Sequence, residues 1–180
     1  MSSGIRLVSA SAEPATALPP FTVTGLAPEL FAPLFAKSDD ELRALGAVRV
    51  FAEEDRRFPC RVGLRRVRLG EELILLNHVH NPIPTSPYRA SGPIFVARES
   101  RQARHADELP ALLLDAPLSL RAYDGRAFIV DAGAAEGDGV VLMLARFLAR
   151  EDVAWVDAHY AGRGCFAARI MRAPALDPAI

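Results

Sequence analysis

Over most of the chain beyond Cys60 the apolar residues recur with a period of two, and this alternation restricts the fold more than any other feature. Cys60 to Leu64 reads as one strand. Glu72 to His80 is a second, whose run Leu73-Ile74-Leu75-Leu76 suggests burial on both faces, and Leu69-Gly70-Glu71 is the turn between them. Pro93 to Ala97 is a third. Leu118 to Tyr123 and Ala127 to Asp131 flank Asp124-Gly125, a strong hairpin signal. Val153 to Tyr160 and Cys165 to Met171 close the chain as a hairpin through Ala161-Gly162-Arg163-Gly164. Most of these links are too short for parallel crossovers, so the strands must pair antiparallel.

Helical spacing is confined to three places. Thr24 to Ala36 carries Leu26, Leu30, Phe31, Leu34 and Phe35 at helical intervals. Ser38-Asp39-Asp40-Glu41 is a capping box that starts a second short helix, with Gly46 placed to stop it. Asp138 to Arg150 is apolar around most of its circumference, with Asp138 as its N-cap and Arg146 and Arg150 as a narrow wet stripe. Gly133 to Gly139 lacks the lysine and hydroxyl ending of a phosphate-binding loop, so it reads as a linker. Phe21 to Val23 reads as a short first strand, and Val48 to Phe51 as another. The expectation is α+β: a single domain with a largely antiparallel twisted sheet, two short N-terminal helices and one buried helix before the C-terminal hairpin. Residues 1 to 20, rich in Ala, Ser and Pro, read as a flexible tail, and 21 to 180 as the domain.

Composition narrows the function classes. At 180 residues, 51% hydrophobic and 24% charged, the chain has material for one well-buried core. A net charge of −1 speaks against a nucleic-acid or anionic-membrane partner. No apolar run approaches the ~18 residues of a membrane span, and Arg6 interrupts any signal-like centre, so the expected location is cytoplasmic. Lys37 is the only lysine among 21 basic residues, so arginine here also does lysine's surface work and a single arginine carries little weight. Cys60 and Cys165 read as free thiols.

The residues able to carry chemistry concentrate at two places. One is the proline-rich stretch from Asn77-His78-Val79-His80 to Pro87-Tyr88-Arg89-Ala90-Ser91-Gly92-Pro93, and the other is the final hairpin. His78 and His80 share a strand face, and His159 or Cys165 would complete a zinc-like set. No third ligand stands at a recognisable spacing, so no metal and no cofactor are assigned. His159 and Cys165, six residues apart across a turn, form a candidate nucleophile and base, with Asp157 on the His159 face to orient the ring. The alternative is that Cys165 leads into a core strand as a buried thiol. Gly162-Arg163-Gly164 permits an anion-binding backbone turn, and Arg89 and Arg121 are positioned to add bidentate contacts. The alternative pairs Arg121 with Asp124 or Glu71 and leaves Arg163 in solvent.

Several blocks are similar to those of a known family. They are Cys60-Arg61-Val62, Gly70 to Asn77, Ser86-Pro87-Tyr88-Arg89-Ala90-Ser91-Gly92-Pro93-Ile94-Phe95-Val96, Ser119 to Asp124 and Arg163-Gly164-Cys165-Phe166-Ala167-Ala168-Arg169. Together they resemble an uncharacterised bacterial family, domain of unknown function 1203, over roughly Phe58 to Ala173. The resemblance brings no activity. It implies a tyrosine where this chain has His78, which removes His78 from any machinery shared across the family.

The functional expectation is a site where the loop from His80 to Pro93 meets the turn from His159 to Cys165. His80, His159 and Cys165 are its catalytic candidates; Tyr88, Arg89, Ser91, Arg121 and Arg163 are its ligand-binding candidates. The partner is a small anionic metabolite, turned over by an enzyme or held by a non-catalytic binding or interaction module. An exposed edge strand would also support a homodimer.

Overall fold

The computed structural model describes residues 18–98 and 100–173. Most of the expected tail, residues 1 to 17, lies outside the described residues. At its end Leu18 packs on the core, and the Pro20 carbonyl accepts from Ala173 N–H at 2.8 Å.

The strands form two sheets rather than one. The first holds β1 (Phe21–Thr24), β7 (Arg104–Ala106), β8 (Leu118–Tyr123), β9 (Ile129–Ala135), β10 (Trp155–Tyr160) and β11 (Phe166–Arg172), in the order β7-β1-β11-β10-β8-β9. The second holds β2 (Val48–Phe51), β3 (Pro59–Cys60), β4 (Arg65–Arg66), β5 (Glu72–Asn81) and β6 (Ala90–Ala97), in the order β2-β5-β6-β3-β4. Pairing is antiparallel throughout except for β3 with β6, which meet only at Cys60 and Phe95. The α+β expectation holds.

The helical expectations are met in part. α1 (Asp39–Ala44) starts on the anticipated capping box: Glu41 N–H donates to the Ser38 hydroxyl, and Ser38 N–H to the Glu41 carboxylate. The segment from Thr24 to Ala36 is instead two short 3-10 turns, Pro28–Leu30 and Ala32–Ala36. Pro33 explains the break, because it lacks the N–H a continuing helix would need and its ring blocks the preceding turn. α2 (Asp138–Leu148) begins one residue earlier than expected, on Gly137 at φ 52°, so Asp138 is its first residue rather than its cap. It buries Val140, Leu144, Ala145, Phe147 and Leu148 on one face and leaves Leu142 exposed. The presumed linker is strand up to Ala135. A Cβ on Gly133 would fall 2.7 Å from the Met143 methyl of α2, so a larger residue there would require that flexible side chain to move.

α2 covers one face of the six-stranded sheet, packing on Leu118, Leu120, Ala122, Val156, Ala158 and Ile170. A second core joins the five-stranded sheet to the 3-10 turns through Phe31, Leu73, Ile74, Ile94 and Val96, and Phe166 of β11 belongs to it. Phe166 therefore stands where the sheets meet. No helix among the described residues is long and apolar enough to cross a membrane.

Candidate functional site

Side chains of β10 alternate between two environments. Val156 and Ala158 face α2, so Trp155, Asp157 and His159 face the other way. Register places Asp157 between Arg121 of β8 and Arg169 of β11. Arg169 grips the fully buried Asp157 with both prongs, Nε to Oδ1 at 2.7 Å and Nη2 to Oδ2 at 2.8 Å. Its Nη2 also donates to the His80 carbonyl at 3.0 Å, and its guanidinium lies 4.7 Å over the Trp155 ring. One ion pair thus fastens β10, β11 and the end of β5.

Beside it, His80 and His159 meet Nε2 to Nε2 at 3.3 Å. Both rings are buried, and His80 stacks on Phe166 with centroids 5.0 Å apart. A neutral pair in this geometry needs opposite tautomers, one ring donating and the other accepting. Burial pushes the His159 pKa down to about 3, and Arg121 and His80 push the same way. His80 is lowered too, chiefly by burial, with Asp157 opposing and Arg169 and Arg121 reinforcing. Both imidazoles are therefore neutral at neutral pH. Four buried polar atoms in this seam have no hydrogen-bond partner: Nδ1 of His80 and of His159, Oδ1 of Asn81 and Nε1 of Trp155. Arg121 forms no ion pair among the described residues, because Asp124 is held by Arg126 and Glu71 by Arg65.

Cys165 does not join this group. Its carbonyl accepts from Tyr160 N–H at 2.9 Å, and with Tyr160 and Arg163 it lines a cavity of about 580 Å³. His159, one residue before Tyr160, turns to the opposite side of β10 toward His80. The proposed nucleophile and its base are thus held in different environments. Both cysteines are free thiols, Cys60 buried and Cys165 half-buried.

The floor of the cavity is Arg61, which the sequence reading did not single out. Its side chain is 2% exposed, donates from Nε to the Phe166 carbonyl (2.9 Å) and from Nη1 to the Pro59 carbonyl (2.6 Å), and lies 5.3 Å over the Tyr160 ring. It has no carboxylate partner, and its Nη2 makes no hydrogen bond among the described residues. Burial lowers its pKa and raises that of Tyr160, whose hydroxyl is also buried without a partner. Two further lining arginines are neutralised, Arg57 by Glu54 and Arg66 by a two-pronged pair with Asp115. Arg163 is exposed and forms no ion pair among the described residues. The turn that carries it is not a free anion nest, since Gly164 N–H donates to the Tyr160 carbonyl and Ala161 N–H to the Pro117 carbonyl. Phe58, Phe95, Leu75 and Pro93 complete the apolar wall.

The proline-rich loop borders the seam through Asn81 and through Ile83, which packs on Tyr123 and Trp155. Tyr88, Arg89 and Ser91 are exposed and do not line the cavity. Asn81 Nδ2 donates to the Tyr88 carbonyl, and the Ser86 hydroxyl donates to the Ala127 carbonyl, so this loop is pinned from inside. His78 packs edge-on against Phe31. The structure therefore brings His80, His159 and Arg121 together, places Cys165 with Arg163 elsewhere, and leaves Tyr88, Arg89 and Ser91 on the surface. Among the described residues no three His, Cys, Asp or Glu side chains converge as metal ligands.

A family model described as "Protein of unknown function (DUF1203)" matches residues 57–172. The chain belongs to this family, and the matched span contains both the seam and every residue lining the cavity. No curated protein and no solved structure matches the chain.

Proposed function

We propose that this member of the family binds a small anionic molecule in the cavity floored by Arg61. The observation that carries the reading is a guanidinium buried to 2% exposure with no carboxylate among the described residues to compensate it. Burying an unpaired charge costs several kcal/mol, roughly, and a fold retains such a group where something of opposite charge meets it. Arg163 at the rim supplies a second uncompensated cation, and a cavity of about 580 Å³ lies within the usual size range for small-molecule sites. Thermal unfolding with a series of small anions, inorganic phosphate and phenylacetate included, tests the reading. At least one anion should stabilise the protein beyond a neutral solute, and Arg163→Gln should weaken that effect. Stabilisation by no anion sinks it.

A second reading keeps acid–base catalysis at the seam, supported by the His80–His159 contact beside an Arg121 that has no carboxylate among the described residues. Imidazole nitrogen resonances separate the two. Shifts at His80 and His159 on adding those anions, with no change at Cys165, would move the site to the seam.

A further inference from the structure

We infer that the ligand is a carboxylate carrying an apolar body, an aryl or short acyl acid rather than a sugar phosphate; this rests on the anion-binding reading of the same cavity. Two features of the lining carry it. The first is what the wall lacks: among the described residues, apart from the arginines and the Tyr160 phenol, its polar groups are only backbone and the Cys165 thiol, and no carboxylate, amide or aliphatic hydroxyl side chain lines it. A sugar or polyol would lose the hydration of several hydroxyls and find almost nothing to replace it. Phe58 and Phe95, with ring centroids 4.7 Å apart, and Leu75 and Pro93 instead offer surface that an apolar body would cover.

The second feature is the number of cationic donors left over. Arg57 and Arg66 are engaged by Glu54 and Asp115, which leaves the Nη2 edge of Arg61 on the floor and Arg163 at the rim. A carboxylate presents two oxygens and one charge, which these two groups satisfy. A phosphate presents three terminal oxygens and up to two charges, and the turn that might have served it has given its Gly164 N–H to the Tyr160 carbonyl.

The half-buried Cys165 provides the readout, since an occupied cavity shields its thiol. The test is calorimetric titration of the full chain, with the rate of Cys165 alkylation by iodoacetamide followed by mass spectrometry. Four probes are used: phenylacetate, acetate, 2-phenylethanol and glucose 6-phosphate. Phenylacetate is expected to bind at least about tenfold more tightly than each of the other three, because it buries a phenyl group that acetate and glucose 6-phosphate lack and carries a charge that 2-phenylethanol lacks, and to slow alkylation. Arg163→Ala should weaken phenylacetate binding several-fold and leave the far-ultraviolet spectrum unchanged, while Arg61→Met tests the floor if it folds. Glucose 6-phosphate binding as tightly as phenylacetate, or acetate doing so, overturns the ligand class and leaves anion binding standing. Equal binding of 2-phenylethanol, or no saturable binding and no protection by any probe, overturns both.

Discussion

Arg169 and Arg61 both reach across the junction of the two sheets, and both donate to a backbone carbonyl there, Arg169 to His80 and Arg61 to Phe166. They differ in what balances the charge. Arg169 faces a fully buried carboxylate and keeps 30% of its side chain exposed. Arg61 is nearly sealed, faces no carboxylate among the described residues and borders a cavity. The charge of Arg169 is thus balanced by Asp157, whereas that of Arg61 leaves the cavity with excess positive charge. Burial of an arginine is by itself weak evidence of function; burial without compensation beside open space is what separates the two regions.

The largest expected effect falls on the balanced pair. Asp157→Ala removes the carboxylate that holds Arg169 and stands beside Arg121, and should cost about 3 kcal/mol, the low end for breaking a buried pair, since Arg169 retains solvent contact. Arg61→Met should cost no more than about 2 kcal/mol, because two carbonyls lose donors while an uncompensated charge is relieved. Urea unfolding of both variants is the check. The contrast fails if Arg61→Met proves the more damaging.

Next comes the backbone that seats Arg61. A Cβ on Gly25 would lie 1.9 Å from the Val62 carbonyl oxygen and 3.1 Å from that of Arg61, and Leu26 N–H donates to the latter. Gly25→Ala must push the Arg61-Val62 segment away, at a cost of about 2 kcal/mol in stability. It should also weaken anion binding, although Gly25 touches neither the cavity nor any ligand. Unfolding and anion titration on the same variant show whether the cavity depends on this approach.

Much of the framework was legible in the sequence because it is local. The capping box at Ser38, the Asp124-Gly125 hairpin and the alternation of β10 each depend on neighbours a few residues away. The division into two sheets was not legible. It depends on partners far apart in the chain, such as β1 between β7 and β11, and alternation gives a strand's faces without naming its neighbour. The site followed the same rule. Arg121 stood out because a strand arginine between apolar neighbours needs a reason, and it does lie beside the histidines. His159 was matched with Cys165 by proximity in sequence, yet its contact is His80, 79 residues away. Arg61 falls within the strand expected from Cys60 to Leu64, but that strand ends at Cys60 and Arg61 lies in the turn that follows; its burial comes from Phe166 and Tyr160, about a hundred residues later.

Acid should act on the seam before the cavity. His159 is depressed to about 3, so the folded protein holds it neutral while the unfolded chain titrates near 6.5. Stability is full above about pH 6.5 and declines as pH falls toward 3, because the unfolded state takes up the proton first. The slope is about 1.4 kcal/mol per pH unit for one histidine, and His80, shifted in the same direction, steepens it. His159→Asn should flatten this dependence, as measured by urea midpoints from pH 7 to pH 4. An unchanged slope would place the acid-sensitive group outside the seam.

The smallest effect on stability is the sharpest test of the contrast. Arg163 is exposed, forms no ion pair among the described residues and sits in a turn held by backbone hydrogen bonds, Gly164 N–H to Tyr160 and Tyr160 N–H to Cys165. Truncating it to alanine removes none of these, so unfolding free energy should change by less than about 0.5 kcal/mol. Anion affinity is a different matter, because among the described residues Arg163 is the one lining guanidinium both exposed and without a carboxylate. Its loss halves the uncompensated charge at the cavity and should weaken binding several-fold. That weakening should diminish as salt rises, since an exposed cation is screened over a Debye length of about 8 Å at physiological ionic strength. Arg61, sealed from solvent, should hold its share of the affinity through the same salt titration. If Arg163→Ala binds anions as the parent does at low salt, the rim takes no part and Arg61 alone distinguishes the cavity from the seam.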